Sequence, residues 1–282
     1  MKSLADNDIL ALIKLIQDEE DCSPDLRDSL AGIVKNDPER INSLLEKNYS
    51  DNIPPFAAKM IENSRWDTLE QLFRQFARDT GSSELEEGLF LLSKFIYPRL
   101  TINEFSAEIS KVSAELEALR LTDAEPAMAI KAMNSVLFDK LGFHCCPPHQ
   151  YTPQDSYFYT LLKNRAGMPV MLYALFICLG RRVGLPFAGI DVPGCFFVRY
   201  KTETSDIILD PCQSGKAVTP RECRNIVVYR GLRWDPVVLE CMTPKSILIR
   251  VITNLIYEYN SLEDLRRASY MRRYLTALRE IQ

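Results

Sequence analysis

The sequence predicts an α+β fold, in which an N-terminal all-helical region is followed by a domain with a small antiparallel sheet. Three observations support this prediction. Helical periodicity continues almost without interruption to about Leu141, and the segment from Pro169 to Val183 is apolar nearly all round, as in a buried helix. After Gly184 the pattern changes to short β-type runs that are separated by turn residues rather than by crossover helices.

The N-terminal helices are predicted from signals that start and stop helices. Ser23-Pro24 and Asp37-Pro38 each place a capping side chain before a proline at the first helical position. Thr101 to Glu104 and Thr122 to Glu125 have the spacing of capping boxes. Residues 1–85 are therefore expected to be helical, either as loose two-helix repeats or as an irregular bundle.

The remaining elements follow in order along the chain. A helix from about Pro126 to Leu141 is expected to end at Gly142, which suits a left-handed C-cap, and a short helix is expected to end near Asn164. The runs "LPFAGIDV", "CFFVRY", "DIILDP" and "NIVVYRG" predict four strands. Thr243-Pro244 then starts a helix pair over residues 241–282.

Composition excludes several classes of protein. The 282 residues are 46% apolar, enough for an ordinary core, and the longest near-apolar run is too short to span a bilayer. The opening segment has no cleavage site, so no signal peptide is predicted and a cytoplasmic location is expected. A net charge of −4 with interspersed signs argues against a nucleic-acid partner, and no membrane partner is expected. The arginine-rich C-terminal helix is interpreted as a solvated face, with a face that binds a partner as the alternative.

The eight cysteines are expected to be reduced thiols. None of them forms a C-x-x-C pair, and no secretory signal indicates an oxidising compartment. One of them, Cys195, follows a Pro-Gly turn in "VPGCFFVRY", and Asp210 lies in the next predicted strand. A thiol beside a carboxylate has a raised pKa and is therefore a poor nucleophile.

The chain resembles a known family over residues 86–231. The motifs "RAGMP", "RRVGLP", "DVPGCFFVR" and "DPCQSG" stand in the order and spacing of the transglutaminase-like domain of the bacterial SirB type, which also occurs in some F-box proteins. The resemblance implies a transglutaminase-like, cysteine-protease-like domain, which we assign to residues 86–240.

The resemblance also implies where a catalytic triad would lie. Active members of this fold place a Cys at the start of the buried helix, a His on the following strand and an Asp on the next strand. Here these positions hold Pro169, Cys195 and Asp210, which are expected to lie close together. Cys178 lies roughly 13 Å along the helix from Pro169 and cannot substitute. No catalytic residue is therefore assigned.

A polar loop and its neighbours could line the same groove. The loop holds His144, Cys145, Cys146 and His149, whose spacing matches no standard zinc motif, so no metal and no cofactor are predicted. The resemblance adds three groove residues to Cys195 and Asp210, namely Tyr151, Asp155 and Arg165. Asp155 and Arg165 are expected to pair, either in the groove or as a salt bridge on its rim.

Two functions are weighed first from the sequence, while a third, a metal-dependent protein that uses the loop from His144 to His149, also stays open. The first is a non-catalytic binding, adaptor or regulatory module whose partner is an unidentified protein or peptide, because both the nucleophile and the base are lost. The alternative is a thiol hydrolase or acyltransferase that uses Cys195 or the loop from His144 to His149. A thiol that reacts with a pKa well below about 8.5 would favour the enzyme.

Overall fold

The computed structural model describes residues 5–15, 23–49, 55–78, 85–193 and 195–280. By internal packing the chain divides into one unit of residues 1–72 and a second of residues 73–282. The predicted α+β class is confirmed. The predicted domain limits at 85 and 240 remain predictions. Gly194 of the predicted Pro-Gly turn lies outside the described residues.

The first unit is helical throughout its described part. It contains α1 (Asp6–Leu15), α2 (Pro24–Asn36), α3 (Pro38–Tyr49) and the beginning of α4 (Pro55–Arg78). Both predicted caps are present, because the Ser23 side chain accepts from the Leu26 amide and Asp37 accepts from the Arg40 amide. One apolar core joins these helices, formed by Ile9, Ile13, Leu30, Val34, Ile41, Leu44, Leu45 and Ile61.

In the described part of the second unit, five helices follow the end of α4 and precede the main sheet. They are α5 (Leu85–Ser93), α6 (Ile102–Glu117), α7 (Pro126–Asn134), α8 (Phe158–Asn164) and α9 (Pro169–Arg182). The capping box at Thr101 is confirmed, but the one predicted at Thr122 is wrong. Pro126 fixes the first turn of α7, so Glu125 precedes the helix instead. A π-helical segment, Ser135–Lys140, continues α7.

The main sheet is antiparallel, as predicted. Its strands are β3 (Phe187–Val192), β4 (Cys195–Lys201), β5 (Asp206–Asp210) and β6 (Lys216–Val218), paired in sequence order. A second, two-stranded pair was not predicted. In it, β1 (His144–Cys145) runs parallel to β2 (Ala166–Gly167), with α8 between them along the chain. This pair brings the polar loop to the start of α9.

The buried helix α9 packs on one face of the main sheet. Ten of its fourteen residues are buried, which confirms the interpretation of its apolar pattern. Tyr173 stacks on Phe196 with ring centroids 4.9 Å apart, and Phe176 meets Phe187 edge to face. A Cβ on Gly180 would lie 2.5 Å from the Phe187 ring and 3.1 Å from a backbone oxygen, so only glycine allows this close packing.

The opposite face of the sheet is covered by α10 (Pro220–Tyr229), which replaces the predicted strand "NIVVYRG". Thr219 and Glu222 form a capping box that starts this helix. Its buried residues Cys223 and Val227 are four apart and pack against Phe197. Helical spacing and the cap therefore override the β propensity of the Ile-Val-Val run.

The chain ends in the predicted helix pair, α11 (Pro244–Ser261) and α12 (Leu265–Arg279). The Tyr259 hydroxyl on α11 forms a buried hydrogen bond of 2.8 Å with the Tyr157 hydroxyl, which ties this pair to the start of α8. Among the helices of the described residues, none has the length and apolar character needed to cross a bilayer.

Candidate functional site

Tyr173, which sequence reasoning missed, contacts Asp210 from the buried helix, and the groove expected from the sequence remains a prediction. Pro169 begins α9, and Tyr173 follows four residues later, about 6 Å along the same face. The Tyr173 hydroxyl donates to Asp210 Oδ1 at 3.5 Å and lies 3.9 Å from the sulfur of Cys212. Pro169 has no polar side-chain atom. The polar contact from α9 to Asp210 is made by Tyr173 instead.

Asp210 is buried and its carboxylate is already bonded. Its Oδ1 accepts from the Cys212 amide at 2.9 Å, and its Oδ2 accepts from the Gln213 side chain at 2.7 Å. With the Tyr173 bond, this makes three donors on one carboxylate, and the Asp210 residue is only 8% exposed. Asp210 therefore caps the turn that follows β5, the Pro211–Gln213 turn.

Cys195 lies beside Asp210 but packs towards α10. It contacts the apolar cluster that includes Val192, Phe197 and Val227, whereas the next residue along β4 stacks on Tyr173. The Arg230 guanidinium donates weakly to the Cys195 sulfur at 3.9 Å. Burial raises the pKa of the Cys195 thiol, Arg230 opposes this rise, and Asp210 adds to it.

Arg230 is the second residue that sequence reasoning missed. It follows the last residue of α10, at a point where the sequence was expected to form a strand. Because this segment is a helix and not the predicted strand, Arg230 lies against Cys195, which is 35 positions earlier in the chain. No motif signalled this contact. Tyr173 had a weak signal, since it stands one turn after Pro169 on an otherwise apolar helix.

A disulfide joins Cys145 to Cys212 at the edge of this site, with their Cα atoms 5.4 Å apart. The expectation that all cysteines are reduced is therefore wrong for these two residues. The parallel pairing of β1 with β2 holds Cys145 near the start of α9, and Asp210 holds the backbone of Cys212. Cys146, Cys178, Cys195, Cys223 and Cys241 are free thiols.

Cys146 is a second thiol near the start of α9. Its amide donates to the Gly167 carbonyl at 3.0 Å, and its thiol donates to Asp155 Oδ1 at 3.6 Å. Burial, together with the Asp155 carboxylate, raises the pKa of Cys146 to about 11. Tyr151 is half-buried nearby, and its pKa is raised by burial and then by Cys146 and Asp155.

Asp155 and Arg165 do not form the predicted pair. Asp155 Oδ2 accepts from both the amide and the hydroxyl of Thr152, as a capping box. Arg165 ends α8 in a left-handed conformation, with φ of 62°, and its guanidinium lies 4.6 Å from the centre of the Phe143 ring. Each side chain is thus held by its own local structure.

The two histidines of the loop are exposed. His144 Nδ1 lies 3.0 Å from the Gly142 carbonyl, and His149 contacts its neighbour Gln150. Within the part of the chain that the structure describes, no three His, Cys, Asp or Glu side chains converge as a metal site. Neither histidine contacts Cys195, whose cationic neighbour is Arg230.

Comparisons with known proteins cover this region of the chain. The model of the family described as "Transglutaminase-like superfamily" matches residues 103–253. A UPF0162 protein of Xylella fastidiosa is 27% identical over 189 residues, which cover 64% of this chain and 66% of that protein. The chain thus spans slightly less than two thirds of that relative's length.

Two further relatives match shorter segments. A UPF0162 protein of Vibrio cholerae is 25% identical over 120 residues, which cover 43% of this chain and 44% of that protein. Human F-box only protein 21 is 26% identical over 138 residues, which cover 46% of this chain and 22% of that protein. No solved structure matches the chain significantly.

Proposed function

The chain belongs to the transglutaminase-like superfamily, and on that premise we propose that it is a non-catalytic member that works by binding a protein or peptide segment. The finer similarity to SirB-type proteins and a cytoplasmic location are part of this proposal. The main observation in its support is that the Asp210 carboxylate already accepts hydrogen bonds from Tyr173, Cys212 and Gln213. A triad needs that carboxylate to orient an imidazole.

The start of α9 supplies no nucleophile. Pro169 stands at its first position, and the hydroxyl one turn later belongs to Tyr173. Burial and the neighbouring Asp210 raise the pKa of Tyr173, so the phenol keeps its proton at neutral pH. A protonated phenol that already donates to Asp210 stabilises the groove but does not attack an acyl group.

The free thiols near the groove are also poorly suited to attack. The pKa of Cys146 is raised to about 11, so at pH 7 only about one molecule in ten thousand carries the thiolate. The pKa of Cys195 is raised as well, because burial outweighs the effect of Arg230. Reactive cysteines in enzymes show the opposite shift.

Alkylation by iodoacetamide tests this proposal. The full chain is titrated across pH, and modified residues are identified by mass spectrometry. We expect Cys146 and Cys195 to react only at alkaline pH and more slowly than Cys241, which is exposed and serves as the internal control. An apparent pKa well below about 8.5 at either thiol would contradict the proposal.

An activity assay gives an independent test. The chain is incubated with a glutamine-containing acyl-donor peptide and a fluorescent amine, and hydrolysis and amine transfer are both measured. Wild type and Cys195→Ala are expected to give the same background. The single change Cys195→His is also expected to be inactive, because position 169 still lacks a thiol. Turnover that is lost in a folded Cys195→Ala variant would refute the non-catalytic function.

The alternative function is a thiol hydrolase or acyltransferase that uses Cys195. One observation favours it, namely the guanidinium of Arg230 at 3.9 Å from the sulfur. In that case Arg230→Ala would raise the apparent pKa of Cys195 further and lower turnover in parallel. If the protein is non-catalytic, Arg230→Ala changes only the pH dependence of alkylation at Cys195. The background rate of hydrolysis and amine transfer then stays the same as in the wild type.

A further inference from the structure

The outer face of α10 carries an unusual combination of exposed side chains. Among its residues, Val228 is 54% exposed and Tyr229 is 94% exposed. Leu232, just past the helix, is 48% exposed and its amide donates to the Val227 carbonyl, which folds it back against the helix end. Exposed apolar side chains of this size in one segment are typical of an interaction surface.

Arginines surround these apolar side chains. Arg221 and Arg224 lie on the exposed face of α10, and Arg233 follows Leu232. Over the described residues, none of the three has an ion pair. The ion-paired arginines elsewhere in the second unit, such as Arg182 and Arg199, each bind a carboxylate. The α10 arginines are therefore available to a partner.

The acidic side chains nearest in sequence are already used by the backbone. Glu222 accepts from the amide and the hydroxyl of Thr219 at 2.7 Å each, as part of the capping box of α10. Asp235 accepts from the Val237 amide at 3.0 Å. Residues 221–235, all of which the structure describes, hold four arginines against these two carboxylates, and neither carboxylate forms an ion pair with an α10 arginine, so the segment keeps a net positive charge.

A pocket opens beside the same helix. It has a volume of about 280 Å³, and its apolar wall is formed by Phe197, Val218 and Ile226. On the side of α10 the pocket is lined by Glu222, Asn225 and Ile226. These residues are seven, four and three positions before Tyr229, so they lie on the same helix face as Tyr229. The pocket is slightly smaller than those that hold drug-sized ligands, and it suits a single side chain.

We propose that this α10 surface docks a partner segment that carries both acidic and apolar side chains, with one apolar side chain entering the pocket. The α10 surface consists of Arg221, Arg224, Val228, Tyr229, Leu232 and Arg233. Unpaired guanidinium groups select carboxylates, and the exposed Val, Tyr and Leu side chains select apolar contacts. This proposal rests on the proposed binding function and names its surface and its class of partner.

Two other classes of partner fit the surface less well. A nucleic acid would meet a chain of net charge −4, and of the six residues of the α10 surface only Tyr229 has an aromatic face, whereas single strands are bound by stacking successive bases. A membrane would require a broad continuous apolar face, but arginines occupy the exposed face of α10 at Arg221 and Arg224. A peptide with acidic and apolar side chains matches both the arginines and the exposed apolar side chains of the surface.

Selection from a random peptide phage library on the immobilised full chain tests the proposal. We expect the recovered peptides to be enriched in Asp and Glu next to Leu, Phe, Tyr or Trp. The most enriched peptide is then synthesised, and its affinity is measured by fluorescence anisotropy. Tyr229→Ala is expected to weaken binding about tenfold or more, since exposed tyrosines become anchors when they are covered. Arg224→Glu is expected to weaken binding and to reduce its dependence on salt.

Matched variants on other surfaces serve as controls. Tyr257 is 71% exposed on α11, and Lys131 is exposed on α7, so Tyr257→Ala and Lys131→Glu should leave the affinity unchanged. All these side chains are at the surface, and circular dichroism verifies that each variant folds.

Several outcomes would overturn the α10 assignment. These are no enrichment, a consensus without acidic residues, and peptide binding that Tyr229→Ala and Arg224→Glu leave intact. Binding of a single-stranded oligonucleotide or of phosphatidylserine vesicles that these variants abolish would overturn the peptide class. A selected peptide that binds elsewhere leaves the proposed binding function standing, whereas turnover at Cys195 would refute that function and not the α10 surface.

Discussion

Removing the disulfide between Cys145 and Cys212 should lower the stability of the second unit substantially. The two cysteines are 67 residues apart in sequence, so the bond closes a long loop in the unfolded chain. Loop-closure entropy for that length corresponds to about 4 kcal/mol at 25 °C. In a unit of this size, such a loss lowers the unfolding midpoint by about 10 °C.

The variant Cys212→Ser separates the disulfide from its surroundings. The backbone amide of residue 212 can still donate to Asp210, because the substitution changes only the side chain. Thermal unfolding of variant and wild type is followed by circular dichroism with and without dithiothreitol. We expect the reductant to lower the midpoint of the wild type to that of Cys212→Ser and to leave the variant unchanged.

Cys241→Ser is the matched control, because Cys241 is a free and exposed thiol. It should unfold like the wild type in both conditions. The reasoning would be refuted if Cys212→Ser unfolded at the wild-type temperature in the absence of reductant, or if dithiothreitol did not affect the wild type.

Three further predictions concern contacts that the second unit makes within itself. Glu86→Gln should cost about 2 kcal/mol in denaturant unfolding, because it breaks a partly buried bidentate ion pair with Arg182. Tyr157→Phe should cost about 1 to 2 kcal/mol, since it leaves the buried hydroxyl of Tyr259 without this partner, and the double change to Phe at both positions should recover part of that loss. Glu258→Gln should make the protein more stable than the wild type at pH 8 but not at pH 3. The pKa of the Glu258 carboxyl is raised by burial and by a nearby carboxylate, so its favourable protonated form is lost as the pH rises through the folded pKa.

Each of these predictions has a clear control or a contrary result. Lys140→Ala breaks an ion pair with Glu115 in which both side chains are exposed, and it should change stability by less than about 0.5 kcal/mol, so an effect as large as that of Glu86→Gln would show that burial at Glu86 is not the cause. A double phenylalanine variant that loses the sum of both single losses would contradict the coupling of the two tyrosines. Stabilisation by Glu258→Gln that persists at pH 3 would show that charge is not its cause.

Local signals in the sequence determined much of the helical structure. The caps at Ser23, Asp37 and Thr101 work over three residues, so their outcome depends little on the rest of the chain. The burial of α9 could be predicted because its side chains are apolar in every direction. The antiparallel order of β3, β4 and β5 followed from short connections that leave no room for a crossover.

The helix α10 shows where two local signals compete. Its Ile-Val-Val run favours a strand by propensity, while Thr219, Glu222 and the spacing of Cys223 and Val227 favour a helix. Burial of Cys223 and Val227 against the outer face of the sheet decides for the helix. That choice also places Arg230 beside a thiol and exposes Tyr229, neither of which the predicted strand implied.

From the sequence by itself, the family resemblance implied triad positions at Pro169, Cys195 and Asp210, and it predicted that the nucleophile is lost. Only the tertiary structure decided what the remaining groups do. The contact from Tyr173 to Asp210 and the bond from Cys145 to Cys212 join residues 37 and 67 positions apart. Such pairs are set by how α9, the parallel strand pair and the main sheet pack together, and packing of distant segments leaves no fixed spacing in a sequence.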